Sequence, residues 1–166
     1  MDIKNFHTER LTIQPLAEAD VAFIQELLNT EGWIKFIGDR NIHSKEDALA
    51  YIKKVTDNPA IHYWTVSTKD DQQPIGLVTL IQRDYLGQPD IGFAFLPACA
   101  GKGYAYEAAK ALLEQVLRND AINAVHAVVL PDNKNSIRLV EKLGLAFDRF
   151  VNIEEEELHI YSISKK

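Results

Sequence analysis

The sequence has little of what disulfides, metal sites and membrane spans require. Cys99 is the only cysteine among 166 residues, which excludes an intramolecular disulfide and a zinc site built on cysteines. The five histidines show no paired spacing, so no metal site is predicted. No stretch approaches about 18 apolar residues, and the first residues lack the apolar run of a signal peptide. The default expectation is a cytoplasmic protein without a membrane partner.

Positive charge is also scarce. The 18 lysines and arginines stand against 24 aspartates and glutamates, a net charge of −6, which argues against nucleic-acid binding as the main function. An acidic surface would suit a cationic substrate such as an amine, although many soluble proteins carry a similar charge. Apolar residues at 46% and charged residues at 25% are typical of a globular protein. The length and the absence of linkers or repeats predict a single domain, 1–166.

Hydrophobic periodicity predicts the order β-α-α-β-β-β-α-β-α-β-β, a mixed α/β or α+β sheet with helices packed on it. The predicted strands are Thr8–Pro15, Ile61–Ser67, Pro74–Gln82, Asp90–Leu96, Ala124–Leu130, Ala146–Ile153 and Glu156–Ser164. The predicted helices are Glu18–Asn29, one from Ser44 to about Asp57, one after Gly101 and Asn133–Leu143. Ser44 has the character of a helix N-cap and Gly144 that of a helix stop. Gly32–Gly38 is predicted as a turn or a brief helix.

The most informative stretch is the strand–turn–helix junction at Ala100–Ala105. A strand ends at Pro97, a glycine-rich turn follows, and a long helix begins at once. The first amides of a helix have no helical partner, and together with the positive end of the helix dipole they attract anions. Gly101 and Gly103 would let a diphosphate approach the backbone, and Lys102 would add a positive charge nearby.

Other interpretations of this turn are available. The spacing of a P-loop is absent, and a dinucleotide fingerprint counted from Gly101 would place Tyr106 where a small residue is needed. A plain glycine-rich connection without any ligand stays open if the turn is considered alone.

At this junction the sequence resembles the GNAT superfamily of N-acetyltransferases, whose signature is Arg/Gln-x-x-Gly-x-Gly/Ala. Ala100, Gly103 and Ala105 take the first, fourth and sixth positions. Ala100 departs from the pattern, which removes a side-chain contact but leaves the backbone unchanged.

Flanking motifs resemble more specifically the branch that acetylates ribosomal-protein N-termini, with its many small-amine relatives. Thr8–Leu11 reads Thr-Glu-Arg-Leu, and Gly101–Ala108 reads Gly-Lys-Gly-Tyr-Ala-x-Glu-Ala. Asn133-x-x-Ser136 is followed by the Glu-Lys-Leu-Gly of Glu141–Gly144. These motifs occur in the expected order over nearly the whole chain.

The resemblance implies an acyl-CoA N-acyltransferase fold with acetyl-CoA as the cofactor. The sheet would be mixed and mostly antiparallel, with about seven strands, helices on both faces, and Asp90–Leu96 and Ala124–Leu130 as a parallel pair that splays apart to hold the pantetheine arm. A homodimer is compatible with the resemblance. The implied cofactor-binding residues are Phe95, Leu96, Ala100, Gly101, Lys102, Gly103, Tyr104, Ala105, Asn133 and Ser136. Asn133 is equally suited to cap the helix that follows it.

Acetyl transfer requires a polarised carbonyl and a partner for the departing thiolate. A backbone N–H near Phe95 or Leu96 would polarise the carbonyl, as an oxyanion-hole donor does. Ser136 is predicted to protonate or hydrogen-bond the thiolate, with Tyr104 and Tyr161 as alternatives.

The acceptor amine, a protein N-terminus or a small molecule, must lose a proton to a base. Asp90 is the first candidate base, and Asp39 and Asp84 are others, although each is more typical of a turn or surface carboxylate. Trp33, Phe36, Asp39 and Asp84 are predicted to border the acceptor pocket.

The alternative function is a catalytically silent domain of the same fold that binds acyl-CoA as a sensor or partner. Ala100 at the first signature position and the lack of an obvious base leave room for it. An acetyl-cysteine intermediate on Cys99 is less favoured, because no histidine lies close in sequence and the thioester would lie far away.

Overall fold

The computed structural model describes residues 2–166, which form eight strands and five α-helices. The strands are β1 (Phe6–His7), β2 (Leu11–Pro15), β3 (Ile61–Thr68), β4 (Pro74–Ile81), β5 (Asp90–Phe95), β6 (Ala124–Val129), β7 (Ala146–Ile153) and β8 (Glu156–Ser164). The helices are α1 (Val21–Leu28), α2 (Glu31–Phe36), α3 (Lys45–Thr56), α4 (Tyr104–Leu117) and α5 (Lys134–Lys142). Short 3-10 turns lie at Glu18–Asp20 and Pro97–Cys99.

All strands belong to one sheet in the order β1-β2-β3-β4-β5-β6-β8-β7. Every neighbouring pair is antiparallel except β5 and β6, which confirms the predicted mixed sheet with a parallel pair. The additional strand is the two-residue edge strand β1, which is too short to show a periodicity. The strand predicted from Thr8 begins only at Leu11, because Thr8 forms a turn in which its hydroxyl accepts a hydrogen bond from the Leu11 amide.

The structure contains the local caps that the sequence predicts at the helix ends. The Ser44 hydroxyl accepts a hydrogen bond from the Asp47 amide at the start of α3, which confirms the predicted cap. Gly144 follows α5 with φ +102°, a conformation that favours glycine. The Gly32–Gly38 stretch contains helix α2, capped by the Thr30 hydroxyl, which accepts from the Trp33 amide.

Two hydrophobic cores lie on opposite faces of the sheet, because successive strand residues point in opposite directions. Trp64 belongs to the core covered by α4 and α5, while its neighbour Tyr63 packs against the core formed with α1, α2 and α3. The expected placement of helices on both faces is confirmed.

The separation of β5 from β6 creates the main cleft. In the described part of the chain these strands share one register pair, Asp90 with His126, and the His126 amide donates to the Pro89 carbonyl. The next outward amide of β6, that of Val128, donates to the side chain of Asp90 at 3.0 Å rather than to a strand partner. Beyond that point the two strands diverge.

Candidate active site

A cleft of about 1240 Å³ runs from the start of α4, between the diverging strands, to helices α2 and α3. It is lined by residues of nearly every element around the splayed pair. A smaller hollow of about 260 Å³ lies near Pro59 and Ile122, away from the glycine-rich turn. The larger cleft is therefore the candidate site.

The glycine-rich turn forms one end of this cleft. Gly101 and Gly103 have φ of +78° and +80°, and Gly103 is the N-cap of α4. The Glu107 amide is the first of the helix to find a backbone partner, the Gly103 carbonyl at 3.1 Å. A Cβ added at Gly101 would meet nothing within 4 Å. The amides that precede Glu107 thus surround an open space, which suits an anion.

Arg10 connects this turn to the start of β2. Its Nη1 donates to the Lys102 carbonyl at 2.9 Å, and its Nε pairs with Glu107 Oε1 at 2.7 Å. The guanidinium carbon lies 4.4 Å from the centre of the Tyr104 ring, a cation–π distance. The Thr8 hydroxyl also donates to Glu107. Two motifs far apart in sequence, Thr-Glu-Arg-Leu and Gly-Lys-Gly-Tyr-Ala-x-Glu-Ala, therefore bind each other directly.

Glu107 is held as an anion by these contacts. Burial raises its pKa, but hydrogen bonds from the Thr8 hydroxyl, the Arg10 amide and the Arg10 guanidinium outweigh that effect and lower the pKa below the ordinary value. The Lys102 side chain is exposed and lies outside the cleft lining, so Lys102 contributes to this structure through its carbonyl.

The edge of β5 that faces β6 presents free backbone groups. The Leu96 amide donates to the Ile75 carbonyl of β4 at 2.9 Å, so of the two amides predicted to polarise a carbonyl, near Phe95 or Leu96, that of Leu96 is occupied. Because backbone groups alternate between the two sides of a strand, those of Phe93 and Phe95 face the cleft. The Leu96 side chain still lines the cleft.

Asn133 and Ser136 lie on the opposite side of the cleft, at the start of α5. Asn133 Oδ1 accepts a hydrogen bond from the Ser136 amide at 3.3 Å, so the capping role is present. Both residues line the cleft, and among residues 2–166 the Ser136 hydroxyl has no hydrogen-bond partner.

Asp90 is 3% exposed, and both of its carboxylate oxygens are engaged. Oδ2 accepts from Arg83 Nε at 2.7 Å, and Oδ1 accepts from the Val128 amide at 3.0 Å. Burial raises the pKa of Asp90 to about 6, against the opposing effects of Arg83 and of the Val128 amide. Arg83 is the partner that sequence reasoning missed, because its spacing from Asp90 matches no motif.

The structure separates the predicted acceptor residues into two groups. Trp33 and Phe36 line the cleft, but Asp39 and Asp84 do not. Asp39 is exposed and accepts a hydrogen bond from the Asn41 amide at 2.8 Å. Asp84 lies exposed in the turn after β4, where Arg83 rather than Asp84 lines the cleft.

Residues outside any sequence motif line the end of the cleft near α2 and α3, which we call the acceptor end. The hydroxyls of Tyr51 and Tyr63 lie 3.2 Å apart. Burial, followed by the neighbouring Tyr63, raises the pKa of Tyr51, and Arg40 opposes that rise. These side chains come from α3, β3 and the loop after α2, so no sequence spacing could have brought them together.

The described residues, 2–166, also bear on a metal site, a membrane span and the single cysteine of the chain. They contain no group of three or more His, Cys, Asp or Glu side chains placed to hold a metal ion. None of their helices has both the length and the apolar character needed to cross a membrane. Cys99 is half-buried beside the glycine-rich turn.

Comparisons with known proteins agree with this geometry. The profile of the acetyltransferase (GNAT) domain family matches residues 10–146. The chain is 29% identical over 145 residues to YnaD, an uncharacterized N-acetyltransferase of Bacillus subtilis (strain 168), which covers 86% of this chain and 83% of that protein.

Solved structures have the same fold. A GNAT-family acetyltransferase from Bacillus anthracis superposes with a TM-score of 0.81 at 23% identity, covering 97% of this chain and 98% of that one. A spermidine N-acetyltransferase from Vibrio cholerae, solved with CoA and spermine, superposes with a TM-score of 0.79 at 19% identity, covering 95% and 97%.

Proposed function

Because the chain belongs to the acetyltransferase (GNAT) domain family, we propose that it transfers an acetyl group from acetyl-CoA to a primary amine by direct attack of that amine. The observation that carries the proposal is the position of the open glycine-rich turn at one end of a cleft between two diverging strands. When bound, acetyl-CoA supplies an activated thioester carbonyl and a thiolate leaving group.

The turn fits the diphosphate of coenzyme A. Gly101 and Gly103 adopt positive φ, and the first amides of α4 are free to donate hydrogen bonds into the open space. A side chain at either glycine would be strained by the positive φ. A Cβ at Gly101 would enter the open space, and one at Gly103 would lie 3.4 Å from Arg10 Nη2. Arg10 holds the turn in this shape by its bond to the Lys102 carbonyl.

The diverging strands provide the remaining contacts in this proposal. The outward backbone groups of Phe93 and Phe95 would hydrogen-bond an extended arm as a neighbouring strand does, and one of these amides would polarise a carbonyl. The unpartnered Ser136 hydroxyl would donate to a departing sulfur, and Asn133 would orient Ser136 by capping α5.

The role of Asp90 as a general base stays a prediction, and its contacts support another role better. Both oxygens are occupied, by Arg83 and by the Val128 amide. We infer that Asp90 is a positioning residue that keeps β6 at the distance where the cleft opens. With a pKa of about 6 it is mostly ionised at neutral pH and retains its bond to Arg83.

Several finer statements stay predictions. These are the single domain over 1–166, the cytoplasmic location, the homodimer and the branch that acetylates ribosomal-protein N-termini. The silent acyl-CoA-binding domain is the alternative function, and it is not favoured by the similarity to named N-acetyltransferases.

Calorimetry and thiol release test the proposal together. Acetyl-CoA should bind the wild-type protein, and Gly103→Glu should weaken that binding more than about tenfold because a carboxylate would repel the diphosphate. Gly103→Asn tolerates positive φ without charge and separates strain from repulsion. Gly87→Glu is the matched control, because Gly87 is exposed in a turn outside the cleft.

If a folded Gly103→Glu variant binds acetyl-CoA as tightly as the wild-type protein, the turn is not part of the cofactor site. Thiol release and a mass gain of one acetyl group on an amine distinguish transfer from silent binding. Binding without release across free amino acids, polyamines and N-terminal peptides would favour the silent domain.

A further inference from the structure

The acceptor end of the cleft is rich in hydrogen-bond donors, and we propose that the acceptor is a small amine that also carries a carboxylate. This inference rests on the proposed acetyl transfer and names the substrate class of the same site. The donor wall, as we call it, consists of Trp33, Arg40, Tyr51, Tyr63 and Arg83, which all line the cleft.

The donor wall lies far from the phosphate-binding turn. Asp90, which holds Arg83, begins β5, whereas the turn follows the other end of that strand. Five residue steps along a strand amount to about 17 Å. Tyr63 pairs with Thr79 in β4, and Thr79 pairs with Gly92 near the start of β5. The wall therefore contacts the acceptor rather than the diphosphate.

The charge of this region is opposite to that of the whole chain. The net charge of the sequence is −6, yet the basic residues Arg40, Lys54 and Arg83 line the acceptor end. The acidic residues of the cleft lining are Asp47 and Asp90. Asp47 accepts a hydrogen bond from the His43 amide, and Asp90 is paired on both oxygens. Asp47 Oδ1 has no hydrogen-bond partner among residues 2–166, so Asp47 still offsets one cation, and the three cations of this end outnumber its two carboxylates by one.

Some hydrogen-bond donors of the wall have no acceptor within the described residues, although Arg83 is paired with Asp90. Nε1 of Trp33 is the one buried side-chain nitrogen or oxygen in residues 2–166 without a hydrogen-bond partner, and it can only donate. The Tyr51 and Tyr63 hydroxyls use one proton between them, so the second proton is free to donate elsewhere. A buried donor without a partner costs free energy that an anionic ligand recovers.

A carboxylate fits this set better than the other common groups. The planar guanidinium of Arg40 matches two carboxylate oxygens, and a tyrosine hydroxyl beside it adds a third donor. A polyamine would place further cations against Arg40 and Arg83. Apolar side chains complete the pocket, so we expect an apolar side chain on the acceptor; they include Leu27, Phe36, Ile37 and Val55.

Paired ligands test the inference by binding, without need of turnover. Phenylalanine, leucine and methionine and their three carboxamides are titrated calorimetrically into the protein saturated with CoA. Each pair differs only in the charge of one group. The free acids should bind about tenfold or more tightly than the amides, the value of one charge-assisted hydrogen bond.

Variants of Arg40 and Tyr51 test whether these residues cause the preference for the free acid. Arg40→Gln should abolish the preference for the acid, Arg40→Lys should retain part of it, and Tyr51→Phe should reduce it. CoA affinity should stay unchanged in all three, which a general loss of structure would not allow. Arg118→Gln is the matched control, because Arg118 is exposed at the end of α4, outside the cleft.

Equal binding of acids and amides, tighter binding of the amides, or no binding of either member overturns the inference. Thiol release from acetyl-CoA is recorded separately with the same ligands. Selective binding of the acids without release of thiol would uphold the donor wall and count against acetyl transfer. Release with polyamines or amides alone would uphold acetyl transfer and overturn the donor wall.

Discussion

Two arginine–carboxylate pairs hold the two ends of the cleft, and they differ in burial rather than in geometry. Arg10–Glu107 and Arg83–Asp90 both have N–O distances of 2.7 Å. The Glu107 side chain is 19% exposed and that of Asp90 is 5% exposed. The pKa of Glu107 is lowered, whereas that of Asp90 is raised to about 6.

The number of donors explains this difference. Glu107 accepts hydrogen bonds from the Thr8 hydroxyl, the Arg10 amide and the Arg10 guanidinium. Asp90 accepts from Arg83 and from the Val128 amide, which do not make up for its deeper burial. The same type of pair therefore keeps its charge firmly at the cofactor end and holds it weakly at the acceptor end.

The largest expected effect is that of Arg83→Met. It leaves Asp90 buried without a counter-charge, and we expect a loss of about 3 kcal/mol in the free energy of unfolding at neutral pH, measured by urea denaturation. Arg10→Met should cost less, because its partner keeps two other donors. The double variant Arg83→Met/Asp90→Asn should recover part of the loss. An equal loss of unfolding free energy in Arg83→Met and Arg10→Met would contradict the proposed difference between the two pairs.

The second-largest expected effect is a pH dependence of stability that differs between Asp90 and Glu107, the carboxylates at the two ends of the cleft. The folded pKa of Asp90, about 6, lies above the unfolded value, so its protonated form stabilises the fold at low pH and this stabilisation is lost as pH rises through about 6. Relative to Asp90→Asn, the wild-type protein should lose on the order of 2 kcal/mol between pH 4 and pH 7. Denaturation at several pH values measures it.

Glu107 should behave in the opposite sense. Its lowered pKa contributes stability that is present above the unfolded pKa and is lost as pH falls through the folded value. A difference between wild type and Asp90→Asn that is flat with pH, or that grows with pH, would contradict the assignment for Asp90.

Glu107→Gln should produce an intermediate effect that is confined to the cofactor end. The amide replaces a carboxylate that accepts three hydrogen bonds, so we expect a loss of about 1–2 kcal/mol in stability. The KM for acetyl-CoA should rise while the KM for the acceptor stays constant. Glu114→Gln, on the exposed face of the same helix, is the control. A rise in the acceptor KM alone would show that the Arg10–Glu107 pair does not support the glycine-rich turn.

Asn133→Ala should have the smallest effect. Loss of the cap on α5 costs about 1 kcal/mol, and Asn133→Asp should restore it because an aspartate caps equally well. If Asn133 also contacts the cofactor, the KM for acetyl-CoA should stay raised in Asn133→Asp although stability returns. Recovery of both quantities would limit Asn133 to capping.

The cofactor end was the more predictable of the two from sequence. The turn at Ala100–Ala105, the cap at Ser44 and the stop at Gly144 depend on residues that are neighbours in the chain, so their spacing is visible. Asp39 and Asp84 lie outside the cleft lining, contrary to the prediction, because an exposed loop carboxylate looks the same in sequence as one that faces a cleft. Asp39 instead accepts a hydrogen bond from the Asn41 amide of its own loop.

The amino-acid sequence by itself determined the longer strands, the helices and the glycine-rich turn, because periodicity, caps and positive-φ glycines act over a few residues. Only the tertiary structure decided that Arg10 would clamp the turn through Glu107 and that Arg83 would occupy Asp90. The tertiary structure also brought together the side chains of the donor wall at the acceptor end. Contacts of this kind join residues far apart in the chain, and the packing of the sheet against its helices sets which charges are buried and how they titrate.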